Sequence, residues 1–326
     1  MTPRAQLEIF APDGAGEIEA GAELAGFVIA LCTGSGLALL DGDIVILTSK
    51  AVSKAEGRVG PGDRLAAIQA ETRRVVAQRG ETQIVRSRLG IVQAAAGVDD
   101  SGVAAGHIAL LPCDPDDSAE RIRQALTERT GLRLGVLISD TSGRPWRNGQ
   151  TDFAIGAAGL EVIEDHRGKV DEHGNLLRVT MMAVADELCA AAELATGKLG
   201  RRPVAVVRGR PDLVLSASGA PAVALQRPAA EDWFGYGARE AVLAALAGDP
   251  DTLSAFGAPA PAAEVSAAIE ALTGRRPEAD PNPSQTLHYV GDPSTDDTVR
   301  AVAHAHGWLS EQTTNDLRLR ATGPVP

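Results

Sequence analysis

The stretch Asp41-Gly42-Asp43-Ile44-Val45-Ile46-Leu47-Thr48-Ser49-Lys50 decides the fold class. Asp41-Gly42 marks a turn, and the four consecutive apolar residues Ile44 to Leu47 read as a buried strand with Thr48 to Gly57 as its polar exit. Outward from it, strand and helix periods alternate, which points to a mixed α/β fold. Upstream, Leu7 and Ile9 begin a short strand, Asp13 to Gly16 is a loop, and Ala22 to Leu31 carries a helical apolar face. Downstream, Gly62-Asp63 opens a helix with Leu65, Ile68, Val75 and Val76 on one side, stopped by Gly80. Gln83 to Arg86 and Leu89 to Ala94 read as strands. Asp116-Asp117-Ser118 supplies N-cap residues for a helix through Ile122, Leu126 and Arg129 that ends at Gly131. Leu132 to Ser139, Leu176 to Met182 and Val204 to Val207 complete the strands, and Val184 to Thr196 is an Ala-rich helix ending at Gly197.

From Gly248 the texture turns Pro/Ala-rich, at Gly257 to Ala263 and Arg275 to Pro283, with short helices at Glu264 to Leu272 and Asp297 to His306. The texture places a boundary near residue 247, between a main domain (1–247) and a small C-terminal extension (248–326) thin in core residues.

The 326 residues are 44% hydrophobic and 23% charged, the composition of a globular protein. A net charge of -12 argues against a nucleic-acid partner, which needs a basic face. No apolar run reaches the ~18 residues of a membrane span, and Met1 to Phe10 lacks the pattern of a signal peptide, so the expected location is the cytoplasm. Cys32, Cys113 and Cys189 show neither disulfide nor zinc spacing and are expected to be small core residues. Among 31 basic residues only Lys50, Lys54, Lys169 and Lys198 are lysines, and two of these fall in the exit of the decisive strand.

Three segments can carry chemistry. Thr48 to Arg58 places hydroxyls and ammonium groups after a strand, suited to triphosphate oxygens, although it also fits a polar surface turn and is no Walker A loop. Ala94 to Gly102 combines tiny residues with Asp99-Asp100, which fits a divalent-metal ligand pair or an acidic Asx turn. Ile138 to Asp152 ends a strand on Asp140-Thr141, a carboxylate and a hydroxyl for Mg²⁺ or Mn²⁺, with Arg144 and Arg147 able to meet anions. Asp165, Asp171, Asp186 and Glu187 could add acidity to such a site.

Together these strings resemble the coenzyme F420:gamma-glutamyl ligases, of the actinobacterial kind. The resemblance runs in order from Leu7 to Leu246, through Ser53-Lys54-Ala55-Glu56-Gly57-Arg58, Arg88 to Asp99, Asp140-Thr141, Trp146 to Asp152, Val184 to Leu188, Pro203 to Gly209 and Glu231-Asp232. It implies the family's own mixed-sheet fold and an intertwined homodimer. The implied activity is a GTP-dependent ligase that adds L-glutamate to the F420 precursor through an acyl phosphate, then extends it by gamma linkages. Two divalent ions, Mn²⁺ or Mg²⁺, are implied, and potassium is a further cation the family allows. Carried over by motif, Asp99, Asp140 and Thr141 are metal ligands, with Asp99, Asp140 and Lys54 catalytic. Nucleotide contacts fall on Gly14, Ala15, Gly16 and Glu17, on Ser49, Lys54 and Gly102, and on Gly197, Lys198, Leu199 and Gly200.

This chain departs from the family at Gly102, where relatives carry Asn, and at Lys198, which the resemblance turns from a metal ligand into a phosphate contact because a protonated ammonium cannot ligate a metal. Ser142 to Thr151 is expected to be a loop that closes over the site. A metal-dependent phosphohydrolase or a non-catalytic nucleotide carrier would use the same residues differently.

Overall fold

The computed structural model describes residues 6–280, 286–314 and 316–323. Met1 to Ala5, and residues 281–283 of the linker-like stretch, lie outside them. The fold is mixed α/β, with two compact units: one holds residues 1–73 and 86–226, the other residues 74–85 and 227–326.

The first unit is built on a five-stranded sheet in the order Glu8–Phe10, Val204–Arg208, Ile44–Thr48, Gly135–Arg144, Arg147–Ala158. Ile44–Thr48 and Gly135–Ser139 run parallel, in register from Ile44 against Gly135 to Thr48 against Ser139. The other neighbours are antiparallel. Side chains alternate across a strand. Val45, Leu47, Val136, Ile138, Val204 and Val206 therefore meet Val28, Leu31, Ile122 and Leu126 of the Leu24–Gly34 and Pro115–Thr130 helices. Ile44, Ile46, Leu137, Ala205 and Val207 meet Val184, Ala185, Leu188 and Cys189 of the Val184–Thr196 helix on the opposite face. A strand covered on both faces has no solvent side to be polar, which is why Ile44 to Leu47 is an unbroken apolar run. Each buried Val, Leu or Ile among them contributes roughly 1.5–3 kcal/mol on burial.

Several expectations shift. Thr48 to Gly57 is largely a helix, Ser49–Ala55, capped by the Thr48 hydroxyl, which accepts from the Ala51 amide. The helix opened by Asp63 stops at Glu71, and Val75 and Val76 belong to the Thr72–Arg79 strand, where β-branched residues suit the pleat. Asp114 rather than Asp116 caps the Pro115–Thr130 helix, because Pro115 fits the first helical position without needing its missing N–H. Gly131 ends that helix at φ 71°, as expected. Of Leu176 to Met182 only Met181–Met182 is a strand. Ser142 to Thr151 is no loop but the end of a β-hairpin turning at Pro145-Trp146, with Arg144 opposite Arg147. Cys32 and Cys189 are buried, but Cys113 is exposed.

The second unit has more structure than short helices. Glu278–Ala279, Thr286–Tyr289, Leu317–Ala321 and Trp308–Gln312 form an antiparallel sheet in that order. It closes a core of its own, with Val265, Ile269, Leu287, Tyr289, Val299, Trp308 and Leu319 buried and the Trp308 indole donating to the Ala260 carbonyl at 2.9 Å. The units part at 226/227, about twenty residues before the textural boundary near 247, because the Ala238–Ala247 helix packs on Asp296–Ala305.

The pairing of Gly135–Arg144 with the edge strand Arg147–Ala158 is interrupted partway along its length. Between Ile138, opposite Gly156, and Ser139, opposite Ala154, the register slips by one residue. This bulge sits just before Asp140 and sets where the strand end points. Gly156 lies where the sheet touches the helix start: a Cβ there would stand 2.3 Å from the Pro115 carbonyl oxygen. Gly156→Ala is expected to destabilise the protein by about 1–3 kcal/mol, read as a lowered urea midpoint. An unchanged midpoint would contradict this packing.

Candidate functional site

Because Ile44–Thr48 and Gly135–Ser139 run parallel and in register, their carboxyl ends emerge side by side, and the next residues, Ser49 and Asp140, are neighbours. The Ser49 hydroxyl donates to Asp140 Oδ1 at 2.8 Å. Above them opens a cleft of about 1240 Å³, in the position where open α/β sheets bind ligands. It brings together most of the expected residues: Ala15, Gly16, Glu17, Ser49, Lys54, Asp99, Gly102, Asp140, Thr141, Gly197, Lys198 and Leu199 all line it. Gly14 and Gly200 adjoin lining residues without lining the cleft themselves.

Three carboxylate groupings face three lysines. Asp99 closes an Asx turn, its Oδ1 accepting from the Ser101 amide at 2.8 Å, while Oδ2 accepts from Lys50 Nζ at 2.8 Å. The Asx-turn reading of the Ala94 to Gly102 segment holds, and the turn presents the Asp99 carboxylate to the cleft. Burial works to raise the Asp99 carboxyl, but the Lys50 ammonium and the Ser101 hydrogen bonds outweigh it and leave it below its ordinary value. Lys54 pairs with Glu17, whose carboxyl that hydrogen bond holds low. Arg201 stands 3.8 Å from Glu17, and Arg202 meets Asp13 at 2.6 Å, so ion pairs link the 13–17 and 196–202 loops. Lys198 touches the Thr141 hydroxyl, Glu193 at 3.0 Å and Asp152 at 3.8 Å.

Asp140 differs from these. Burial, with the charges of Asp152 and Asp99 adding to it, pushes its carboxyl up to about 6 against the opposing Ser49 hydrogen bond. Among the described residues no three Asp, Glu, His or Cys side chains converge as a ready-made metal cage. Magnesium-type ions, however, take one or two carboxylates and complete their shell with phosphate oxygens and water. Asp140, Asp99, Thr141 and Ser49 are hard oxygen donors, and Asp140 is a carboxylate whose surroundings lack positive charge. This set fits one divalent ion shared with a phosphate ligand.

Glu193, Arg64 and Arg201 also line the cleft without having been singled out in the sequence, and Lys50 and Asp152 line it too, named there only within their segments and without a site role. Asp152 was recoverable from the hairpin register, which sets it opposite Thr141. Glu193 lies seven residues after Asp186, two helical turns on the same face. Their carboxylates accept from the Asp152 and Ala154 amides of one strand, at 3.2 and 2.9 Å. The added acidity expected of Asp165, Asp171, Asp186 and Glu187 does not reach the cleft lining. Asp165 binds Arg167, and Asp171 binds the Asn175 amide in its own turn.

The family profile described as F420-0:Gamma-glutamyl ligase matches residues 14–67 and 61–209. The coenzyme F420:L-glutamate ligase of Methanothermobacter thermautotrophicus is 38% identical over 226 residues, 63% of this chain and 90% of that protein. Its counterpart in Archaeoglobus fulgidus is 37% identical over 224 residues, 63% of this chain and 88% of that protein. The Methanopyrus kandleri protein of the same name is 36% identical over 218 residues, 60% of this chain and 86% of its own length.

The raised Asp140 carboxyl fixes a pH dependence. With a folded value of about 6 against an ordinary 3.8, its proton favours the fold below about pH 4, and that contribution is lost as pH rises through 6. In metal-free protein at pH 7.5, Asp140→Asn is therefore expected to raise the melting temperature. A melting temperature that falls would contradict this electrostatic account.

Proposed function

The chain belongs to the F420-0:gamma-glutamyl ligase family, and from that membership we propose that it joins L-glutamate to the F420 precursor by a GTP-dependent reaction, extending the product through gamma linkages. The observation that supports this most is one of coincidence: every segment lining the cleft, from Ala15 to Pro203, falls within the residues the family profile matches.

The chemistry suits the groups present. A carboxylate does not acylate an amine, because its leaving group would be oxide. In the proposed path a precursor carboxylate oxygen attacks the γ-phosphorus of GTP, the bond to the β-phosphate oxygen breaks, and GDP leaves. The glutamate nitrogen then attacks the acyl carbon, inorganic phosphate departs, and the amine gives up its proton. Negative charge builds on phosphate oxygens in the first step, and Lys54, Lys50, Lys198 and Arg201 supply fixed positive charge around the cleft. A divalent ion at Asp140, with Asp99 and Thr141 beside it, would supply further neutralisation of the transferring phosphoryl group. No covalent enzyme nucleophile is required. An acyl phosphate must be kept from water, and the hairpin that contributes Ser142, Gly143 and Gln150 to the lining is the element we assign to cover it. On the same family reading the working form is a homodimer in the cytoplasm. No helix among the described residues is long and apolar enough to cross a membrane.

Mass spectrometry of protein incubated with GTP, precursor and glutamate should show glutamyl additions that need all three. Phosphate release without glutamyl product would make the protein a phosphohydrolase, and nucleotide binding without turnover a carrier. Lys54→Met should raise KM for GTP and lower kcat, roughly tenfold each, because a phosphate-facing charge acts in both ground and transition states. A change confined to KM for glutamate would move Lys54 to the amino-acid pocket.

A further inference from the structure

Charge in the cleft is already matched almost everywhere. Asp99 has Lys50, Glu17 has Lys54, and Glu193 and Asp152 share Lys198. Asp140 is the lining carboxylate for which no cationic side chain is found among the described residues. The Lys198 corner has the make-up of a cation site: the Thr141 hydroxyl, a Glu193 oxygen at 3.0 Å and an Asp152 oxygen at 3.8 Å surround the ammonium. Asp152 is in turn fixed by the Ser139 hydroxyl at 3.0 Å and the Thr141 hydroxyl at 2.5 Å, and Glu193 by the Asp152 amide. Oxygen ligands so held would suit a second divalent ion. Here they hold an amine carried by the chain itself.

We propose that the Lys198 ammonium is the resident cation of this corner, so that the cleft takes a single divalent ion, at Asp140, and the amine does the work of a second. This disagrees with the pair of ions that the family resemblance implies, and it rests on the phosphoryl-transfer reading above. An ammonium has three N–H donors. Two can stay on Glu193 and Thr141 while the third meets a phosphate oxygen, so Lys198 would add its charge to a transferring group alongside the ion at Asp140. A lysine delivers a fixed single charge that needs no recruitment from solution. In two-metal enzymes a second ion helps to clamp the attacking or leaving oxygen.

Equilibrium dialysis of the full-length protein against Mn²⁺, with a non-hydrolysable GTP analogue at saturation, tests this by counting bound ions per chain. The wild type should bind one. Lys198→Gln and Lys198→Glu, which put an oxygen donor where the charge was, should bind two, and Lys198→Arg should stay at one. Two ions in the wild type would overturn the inference while leaving nucleotide-dependent phosphoryl transfer in place. One ion in the wild type and in both oxygen-donor variants would also overturn it, because Lys198 would then not be what excludes the second. No Mn²⁺ in the wild type would overturn this inference and the ligase reading together.

Discussion

The parallel pairing of Ile44–Thr48 with Gly135–Ser139 is the constraint on which the rest depends. A parallel pair cannot be joined by a tight turn, so the chain between them runs through helices and outer strands before it returns. Both strands are buried on both faces, and that burial fixes their register, since a slip of one residue would exchange the two cores. Once the register is set, the parallel pairing stops at Thr48 and Ser139, at one edge of the sheet. Ser49 and Asp140 then meet without any direct chain connection, and loops from distant parts of the sequence converge above them.

The cleft that results is crowded with charge but not with unmatched charge. Lysines hold Asp99, Glu17 and Glu193, and loops 13–17 and 196–202 are tied by arginine pairs. Exposed pairs of this kind contribute little to stability, about 0–1 kcal/mol each. Their consequence is geometric: they keep several ammonium and guanidinium groups aimed at one space, ready to exchange a carboxylate for a phosphate. Asp140 stands apart because its charge is opposed by burial and by neighbouring carboxylates. A group in that position gains most from an incoming cation.

Much of this was legible in the sequence, and what was missed follows a pattern. Unbroken apolar runs and glycine stops located the Ile44 strand, the Val184–Thr196 helix and the end of the Pro115–Thr130 helix. Those signals are local. The Ser49–Ala55 helix is only seven residues long and has too few turns to show a periodicity, so it read as a polar exit. Val75 and Val76 satisfied a helical spacing by coincidence, because β-branched residues in the following strand fell at matching intervals. In the second unit, strands of two to five residues were invisible between prolines, yet together they close a core around Trp308. For the site, residues inside recognisable strings were found, but the pairing of Lys50 with Asp99, 49 residues on, and the place of Glu193 beside Asp152 are set by tertiary packing alone.

In the proposed reaction this cleft transfers the γ-phosphoryl group of GTP to a carboxylate oxygen before an amine displaces it. The most direct measurement uses precursor whose reacting carboxylate carries ¹⁸O, incubated with GTP, glutamate and the protein in unlabelled water, followed by mass analysis of the inorganic phosphate released. The account requires one ¹⁸O atom in each phosphate formed with a glutamyl product, since the oxygen that attacks phosphorus leaves with it. Unlabelled phosphate would mean that water, not the carboxylate, receives the phosphoryl group, and would contradict the account.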